Sequence, residues 1–187
     1  FWEHDVIDVE MNDGRLASVV VRNRNDHTLT RLGAQLFIDC SGMSAVLRKS
    51  NPWLEKKCKP PRPEHICVAA QAVYQIRDLE GARGFLGEHR IESGEVIGWV
   101  GVEGGFSILR PELDLNHKSF SILTGSIAKQ GFRSGKKILD DFVADLSWLG
   151  ECEIYGHRAI PLRRPYAHQV APGLALLGDA GSHIFSS

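Results

Sequence analysis

Apolar and polar residues alternate through residues 6–11 (Val6, Ile7, Asp8, Val9, Glu10, Met11), the period of a half-buried strand. Asn12-Asp13-Gly14 follows, then a β-branched run at residues 16–22, and the three together predict a hairpin. Residues 23–27 are polar and make the next turn. Residues 28–40 hold a third strand and a fourth, "AQLFIDC", whose unbroken apolar run predicts burial on both faces. "SGMSAVLRKSNP" reads as a tight turn entering a short helix that Pro52 ends. Residues 56–63 are basic and carry Pro60, Pro61 and Pro63, which marks a domain boundary.

Beyond that boundary the pattern changes. "ICVAAQAVYQI" reads as a long strand and "LEGARGFLG" as a short helix or loop. Residues 91–102, 105–109 and 119–124 read as further strands between Gly and Pro turns, an antiparallel meander. Residues 134–150 predict a long helix, with Ile138, Leu139, Phe142, Val143, Leu146 and Leu149 as its apolar stripe. Ser134 is placed to cap it and Gly150 to close it. Lys136 and Lys137 sit at the end where the helix dipole disfavours cations. A strand at residues 151–159 and an extended connector, "PLRRPYAHQVAP", lead to a last apolar strand, "LALL".

Composition narrows the function classes. The chain has 187 residues, Lys plus Arg 22 against Asp plus Glu 23, and a net charge of -1, which gives no electrostatic case for nucleic acid or an acidic membrane. No apolar run reaches the roughly 18 residues of a membrane span. The first residues, Phe1-Trp2-Glu3-His4-Asp5, are neither a signal peptide nor an initiator methionine. Cys40, Cys58, Cys67 and Cys152 form no C-x-x-C pair, and the eight histidines show no H-x-x-x-H spacing. A reducing, cytoplasmic compartment and no metal site are the expectation. Neither a G-x-S-x-G elbow nor a phosphate-binding G-x-x-x-x-G-K-[ST] loop is present.

Two segments share one grammar. "LFIDCSGMSAVLR" is an apolar strand, then Asp39, then Ser41-Gly42, then a helix-like stretch with Ser44 and Arg48. "LALLGDAGSH" is an apolar strand, then Gly178-Asp179, then Ala180-Gly181, with another helix expected after it. Strand ends of this kind gather at the carboxyl edge of an α/β sheet, where ligands bind. A carboxylate there accepts hydrogen bonds from the hydroxyls of a sugar or ribitol chain, and Gly178 and Gly181 leave room for close approach. The plainer alternative is an ordinary turn with Asp179 as a helix cap.

In this order, "FIDCSGMSAVLR" and "APGLALLGDAG" resemble the FAD-dependent oxidoreductases of the aromatic-hydroxylase and geranylgeranyl-reductase superfamily. "HRAIPLRRPY" looks like that family's connector back to its cofactor domain. The resemblance implies FAD as cofactor, with Asp179 on the ribitol and Gly178, Ala180 and Gly181 lining the approach. It implies that Gly42 is the glycine of the first motif and that Asp39, Ser44 and Arg48 lie beside the dinucleotide. Here the first motif reads Asp39-Cys40-Ser41-Gly42 rather than Asp-Gly.

The implied fold is α+β: a partial FAD-binding α/β domain with an inserted antiparallel substrate-binding sheet. Residues 1–55 and 158–187 would form the cofactor part and residues 56–157 the substrate part. The family's opening βαβ unit with G-x-G-x-x-G is not found, so the chain reads as an internal piece of a longer protein, inactive alone and weak in FAD binding.

The implied activity is hydroxylation or double-bond reduction of an apolar or aromatic small molecule, with NAD(P)H as a candidate electron donor. A flavin-dependent halogenase is an alternative, although its W-x-W-x-I-P motif is missing. A β-rich binding module without redox chemistry is another. Val68, Ala70, Ala72, Tyr74, Trp99 and Phe106 would form either an apolar substrate wall or ordinary core. His157, Arg158, Arg163 and Arg164 would face an anion or simply solvent.

Overall fold

The structure, a computed structural model, describes residues 2–183. Two compact units emerge, one of Phe1–Pro61 with Pro161–Ser187 and one of Arg62–Ile160.

In the first unit, β1 (His4–Asn12) and β2 (Arg15–Asn23) form the hairpin, and β3 (Leu29–Gly33) extends it antiparallel on β2. The turn works because Asp13 (φ 48) and Gly14 (φ 76) both take the left-handed conformation that a two-residue hairpin loop demands. Leu16, Val19 and Val21 of β2 enter the unit's core with Leu47, Leu54 and Tyr166.

The short strand β4 (Phe37–Asp39) leads through a 3-10 turn, Gly42–Ser44, into α1 (Val46–Ser50) and α2 (Pro52–Lys57). Pro52 both ends α1 and opens α2, where Asn51 caps by accepting from the Trp53 and Leu54 N–H groups. The expected two-sided burial of "AQLFIDC" is not found: Leu36 is 56% and Ile38 55% exposed. β4 is an edge strand, and only its alternate positions Phe37 and Asp39 turn inward.

The second unit is a five-stranded sheet. It comprises β5 (Ile66–Ile76), β6 (Trp99–Val100), β7 (Ser107–Asp114), β8 (Ser119–Ser126) and β9 (Leu149–Pro161), in the order β6-β7-β8-β5-β9. β6, β7, β8 and β5 are antiparallel in turn. Between β5 and β6 the chain forms α3 (Leu79–His89), and between β8 and β9 it forms α4 (Gly135–Ala144). Both helices bury their apolar stripes on one face of the sheet, with Phe85, Leu86, Ile138 and Leu139 against Ala70, Ala72, Leu113, Phe120 and Ile122. The strand expected over residues 91–102 shrinks to β6 and an isolated bridge from Val96 to Glu112.

The helix expected over residues 134–150 stops at Ala144. Its apolar spacing runs on because Trp148 and Leu149 enter the same core from the following turn and strand, and Gly150 lies within β9. Lys136 and Lys137 pair with Asp140 and Asp141 at 2.5 and 2.6 Å, which offsets their poor position on the dipole. Of the candidate apolar wall, Ala70 and Ala72 are core and Tyr74 and Trp99 pack against it, whereas Val68 and Phe106 lie outside that cluster and Phe106 is exposed. Burial pushes the Tyr74 phenol up to about 12.

The last stretch returns to the first unit as β10 (Val170–Ala171), β11 (Leu174–Leu176) and a 3-10 turn, Gly178–Gly181. Gly173 (φ +77) crosses so close to β2 that a Cβ would stand 2.5 Å from the Leu16 carbonyl oxygen. The helix expected after Gly181 lies outside the described residues. Among the described residues no helix is long and apolar enough to cross a membrane.

All four cysteines are free; Cys58 and Cys67 are buried, and Cys40 and Cys152 exposed. Burial raises the Cys58 and Cys67 thiols, so little thiolate forms at mild alkaline pH. An aromatic disulfide reagent is expected to label Cys40 and Cys152 in a fast phase and Cys58 and Cys67 only with unfolding. Four equally fast thiols would contradict this packing.

Candidate functional site

β11 lies parallel to β4, pairing Leu174 with Phe37, Ala175 with Ile38 and Leu176 with Asp39. The ladder extends one step past the strands, where the Leu177 N–H donates to the Asp39 carbonyl at 2.9 Å. Two segments remote in sequence therefore end side by side, and both break into 3-10 turns at the same sheet edge. The turn Gly42–Ser44 packs against the turn Gly178–Gly181. This is the carboxyl end of a parallel pair, where an α/β sheet opens a ligand crevice.

Asp39 is 2% exposed. Its Oδ1 accepts from the Ser41 N–H at 3.0 Å and the Ser41 hydroxyl at 2.6 Å, and its Oδ2 accepts from the Arg48 N–H at 2.9 Å. The Ser41 oxygen in turn accepts from the Val46 N–H at 2.8 Å. The carboxylate thus braces the turn and the start of α1 from beneath.

Arg48 is also buried. It donates to the Cys58 carbonyl at 2.6 Å, and its guanidinium lies 4.8 Å from the centre of the Tyr166 ring. Arg163 stands 4.3 Å from the same ring, and the Tyr166 hydroxyl donates to the Lys59 carbonyl at 2.8 Å. These contacts tie α1 to the end of α2 and to the returning chain.

The second turn divides in the same way. Ala180 and Gly181 are buried. A Cβ on Gly181 would meet the His183 ring at 2.7 Å, and that ring pairs with the Gln169 side chain. Gly178 (φ +60) is exposed and a Cβ there would meet nothing within 4 Å. Gly42 (φ +64) is equally open. Asp179 is half-buried, and its carboxylate has no hydrogen-bond or ion-pair partner among the described residues.

The sequence-derived residues therefore fall into two layers. Gly42, Ser44, Gly178 and Asp179 reach the surface of the paired turns, while Asp39, Arg48, Ala180 and Gly181 lie below and shape them. Sequence reasoning missed Ser41 and Tyr166. Ser41 carried a readable signal, a serine two residues after an aspartate, as in side-chain-closed turns. Tyr166 carried none, because its partners are distant in sequence.

No protein-family model matches the sequence, and no curated protein matches it. Solved structures do. A geranylgeranyl bacteriochlorophyll reductase-like protein from Thermoplasma acidophilum matches with a TM-score of 0.72 at 15% identity, over 96% of this chain and 42% of that one. A myxobacterial chondrochloren halogenase, described as a variant of FAD-dependent halogenases, matches with a TM-score of 0.58 at 15% identity, over 97% of this chain and 41% of that one. An anhydrotetracycline hydroxylase from Streptomyces rimosus matches with a TM-score of 0.56 at 13% identity, over 95% of this chain and 32% of that one. The chain spans less than half the length of each, and the likeness is one of fold.

Proposed function

We propose that this chain forms part of the FAD site and the substrate sheet of a flavin-dependent oxidoreductase. The reading is a hydroxylase or double-bond reductase acting on an apolar or aromatic small molecule, with NAD(P)H as electron donor. One observation carries it: two remote strand-to-turn segments pair in parallel register and leave one unpartnered carboxylate, Asp179, next to the open Gly178, in a turn packed on the one that holds the open Gly42. The fold shared with a reductase-like protein, a hydroxylase and an FAD-dependent halogenase supports it.

The residues present fit a polyol-bearing dinucleotide. Asp179 would accept hydrogen bonds from ribityl hydroxyls, and Gly42 and Gly178 would admit the ligand against bare backbone. Ser44 would add a hydroxyl at the rim. Asp39, Ser41 and Arg48 would hold the first turn in place, and Ala180 and Gly181 the second. When bound, a flavin supplies hydride transfer and oxygen activation, and the protein supplies position and electrostatics.

Asp179→Ala is expected to weaken FAD binding by roughly tenfold to a hundredfold, the worth of hydrogen bonds to a charged acceptor. Far-UV circular dichroism and the unfolding midpoint should stay at wild-type values, because that carboxylate holds nothing among the described residues. Flavin fluorescence titration reads the affinity; equal affinity in both proteins would contradict the assignment. Halide-dependent chlorination of an aromatic compound by the flavin-loaded protein would move the type to halogenase.

A further inference from the structure

The face of the five-stranded sheet away from α3 and α4 carries its own chemistry. Side chains alternate along a strand. Ala70 and Ala72 of β5, Leu109 and Leu113 of β7, and Phe120 and Ile122 of β8 all turn to the helices. Gln71, Arg110, Glu112, Ser121 and Leu123 therefore share the opposite face. The register assembles them in two rows. Arg110 lies opposite Leu123, which lies opposite Gln71; Glu112 lies opposite Ser121 in the next row. Val96 bridges to Glu112 at the margin. Together they line a depression of about 200 Å³.

None of the four polar side chains in this depression has a hydrogen-bond or ion-pair partner among the described residues. That is unlike Arg133 in the same unit, which pairs with both Glu103 and Asp141. Arg110 and Glu112 are two residues apart on one strand, about 7 Å between Cα atoms, and stay separate. A pure anion placed on Arg110 meets the carboxylate of Glu112, and a pure cation placed on Glu112 meets Arg110. A ligand carrying both charges satisfies both rows. The volume lies below the usual ~300–1,000 Å³ of drug-sized pockets, which sets the ligand at a compact size.

We propose that this face binds a small zwitterion with an apolar body, of the α-amino-acid type. Its carboxylate lies on Arg110, its ammonium on Glu112 with Ser121 as second acceptor, and its apolar part over Leu123 toward Gln71. This names a substrate class for the flavoenzyme reading and rests on that reading only in calling the molecule a substrate.

The test needs no flavin. L-phenylalanine, 3-phenylpropionate and phenethylamine share one apolar body and differ in charge. Titrated into the 15N-labelled protein, L-phenylalanine is expected to shift the amides of Gln71, Arg110, Glu112, Ser121 and Leu123. The two singly charged probes are expected to bind roughly fivefold more weakly, the scale of one exposed ion pair. Arg110→Gln should bring L-phenylalanine down to phenethylamine, and Glu112→Gln should bring it down to 3-phenylpropionate. Both side chains are unpartnered, so the rest of the spectrum should remain in place. Absence of shifts on this face with any probe, equal affinity for all three, or indifference to both substitutions would overturn the proposal. FAD binding and its loss in Asp179→Ala are read separately, so either assignment can fail alone.

Discussion

Asp39→Ala is expected to destabilise the first unit by about 3 kcal/mol. The substitution strips the acceptor from three donors: the Ser41 N–H, the Ser41 hydroxyl and the Arg48 N–H. Hydrogen bonds to a charged group are worth about 1.5–3 kcal/mol each. Ser41 is exposed and recovers part of its loss from water, whereas Arg48 is buried and does not. Relief of a buried carboxylate's desolvation offsets some of the rest. Asp39→Asn keeps the shape and one good acceptor, so about half of the loss is expected. Native-state hydrogen exchange at Leu174 and Leu176 reads this unit without the other. A loss under about 1 kcal/mol would mean the turn is held by something else.

Gly135→Ala is expected to cost the second unit about 3 kcal/mol or more. A Cβ at this position would stand 2.5 Å from the Val68 carbonyl oxygen and 3.0 Å from both the Ala70 nitrogen and the Thr124 carbonyl oxygen. All three are backbone atoms of β5 and β8 at mid-sheet, so neither strand can yield without breaking its ladder. Retreat of α4 would also stretch the 2.6 Å bond from the Thr124 hydroxyl to the Gly135 carbonyl. Gly84 supplies the contrast. It sits inside α3 with open space around its Cβ position, and Gly84→Ala is expected to be neutral or to gain about 0.5–1 kcal/mol. The thermal unfolding midpoint should fall sharply for Gly135→Ala and stay level or rise for Gly84→Ala; matched midpoints would contradict the close approach of α4 to the sheet.

What the sequence made legible was what local chemistry decides. The Asn12-Asp13-Gly14 turn, the Ser134 cap and the strand-then-glycine grammar of both motifs each depend on a few neighbouring residues. That both motifs end at one sheet edge was legible in the same grammar; the direct parallel register of β4 with β11 came from the structure. The misreadings share a cause: apolar spacing records burial, not the element that delivers it. Leu149 continued a helical stripe yet enters the core from β9. Leu36 and Ile38 lengthened an apolar run but lie on the uncovered side of an edge strand. In β5, where wall and core were both open readings, Ala70 and Ala72 pack on the helices and the intervening Gln71 opens onto the depression. The inward turn of Asp39 and the placing of Arg48 over Tyr166 depend on tertiary neighbours that no local pattern encodes.

Mapping FAD onto the chain by amide chemical shifts tests the central claim most directly. On titration with FAD, the amides of Gly42–Ser44 and Gly178–Gly181 should move together along one saturation curve, and Asp179→Ala should flatten that curve at both turns. Shifts at one turn alone, or confined to Arg62–Ile160, would contradict a dinucleotide site built from the paired strand ends.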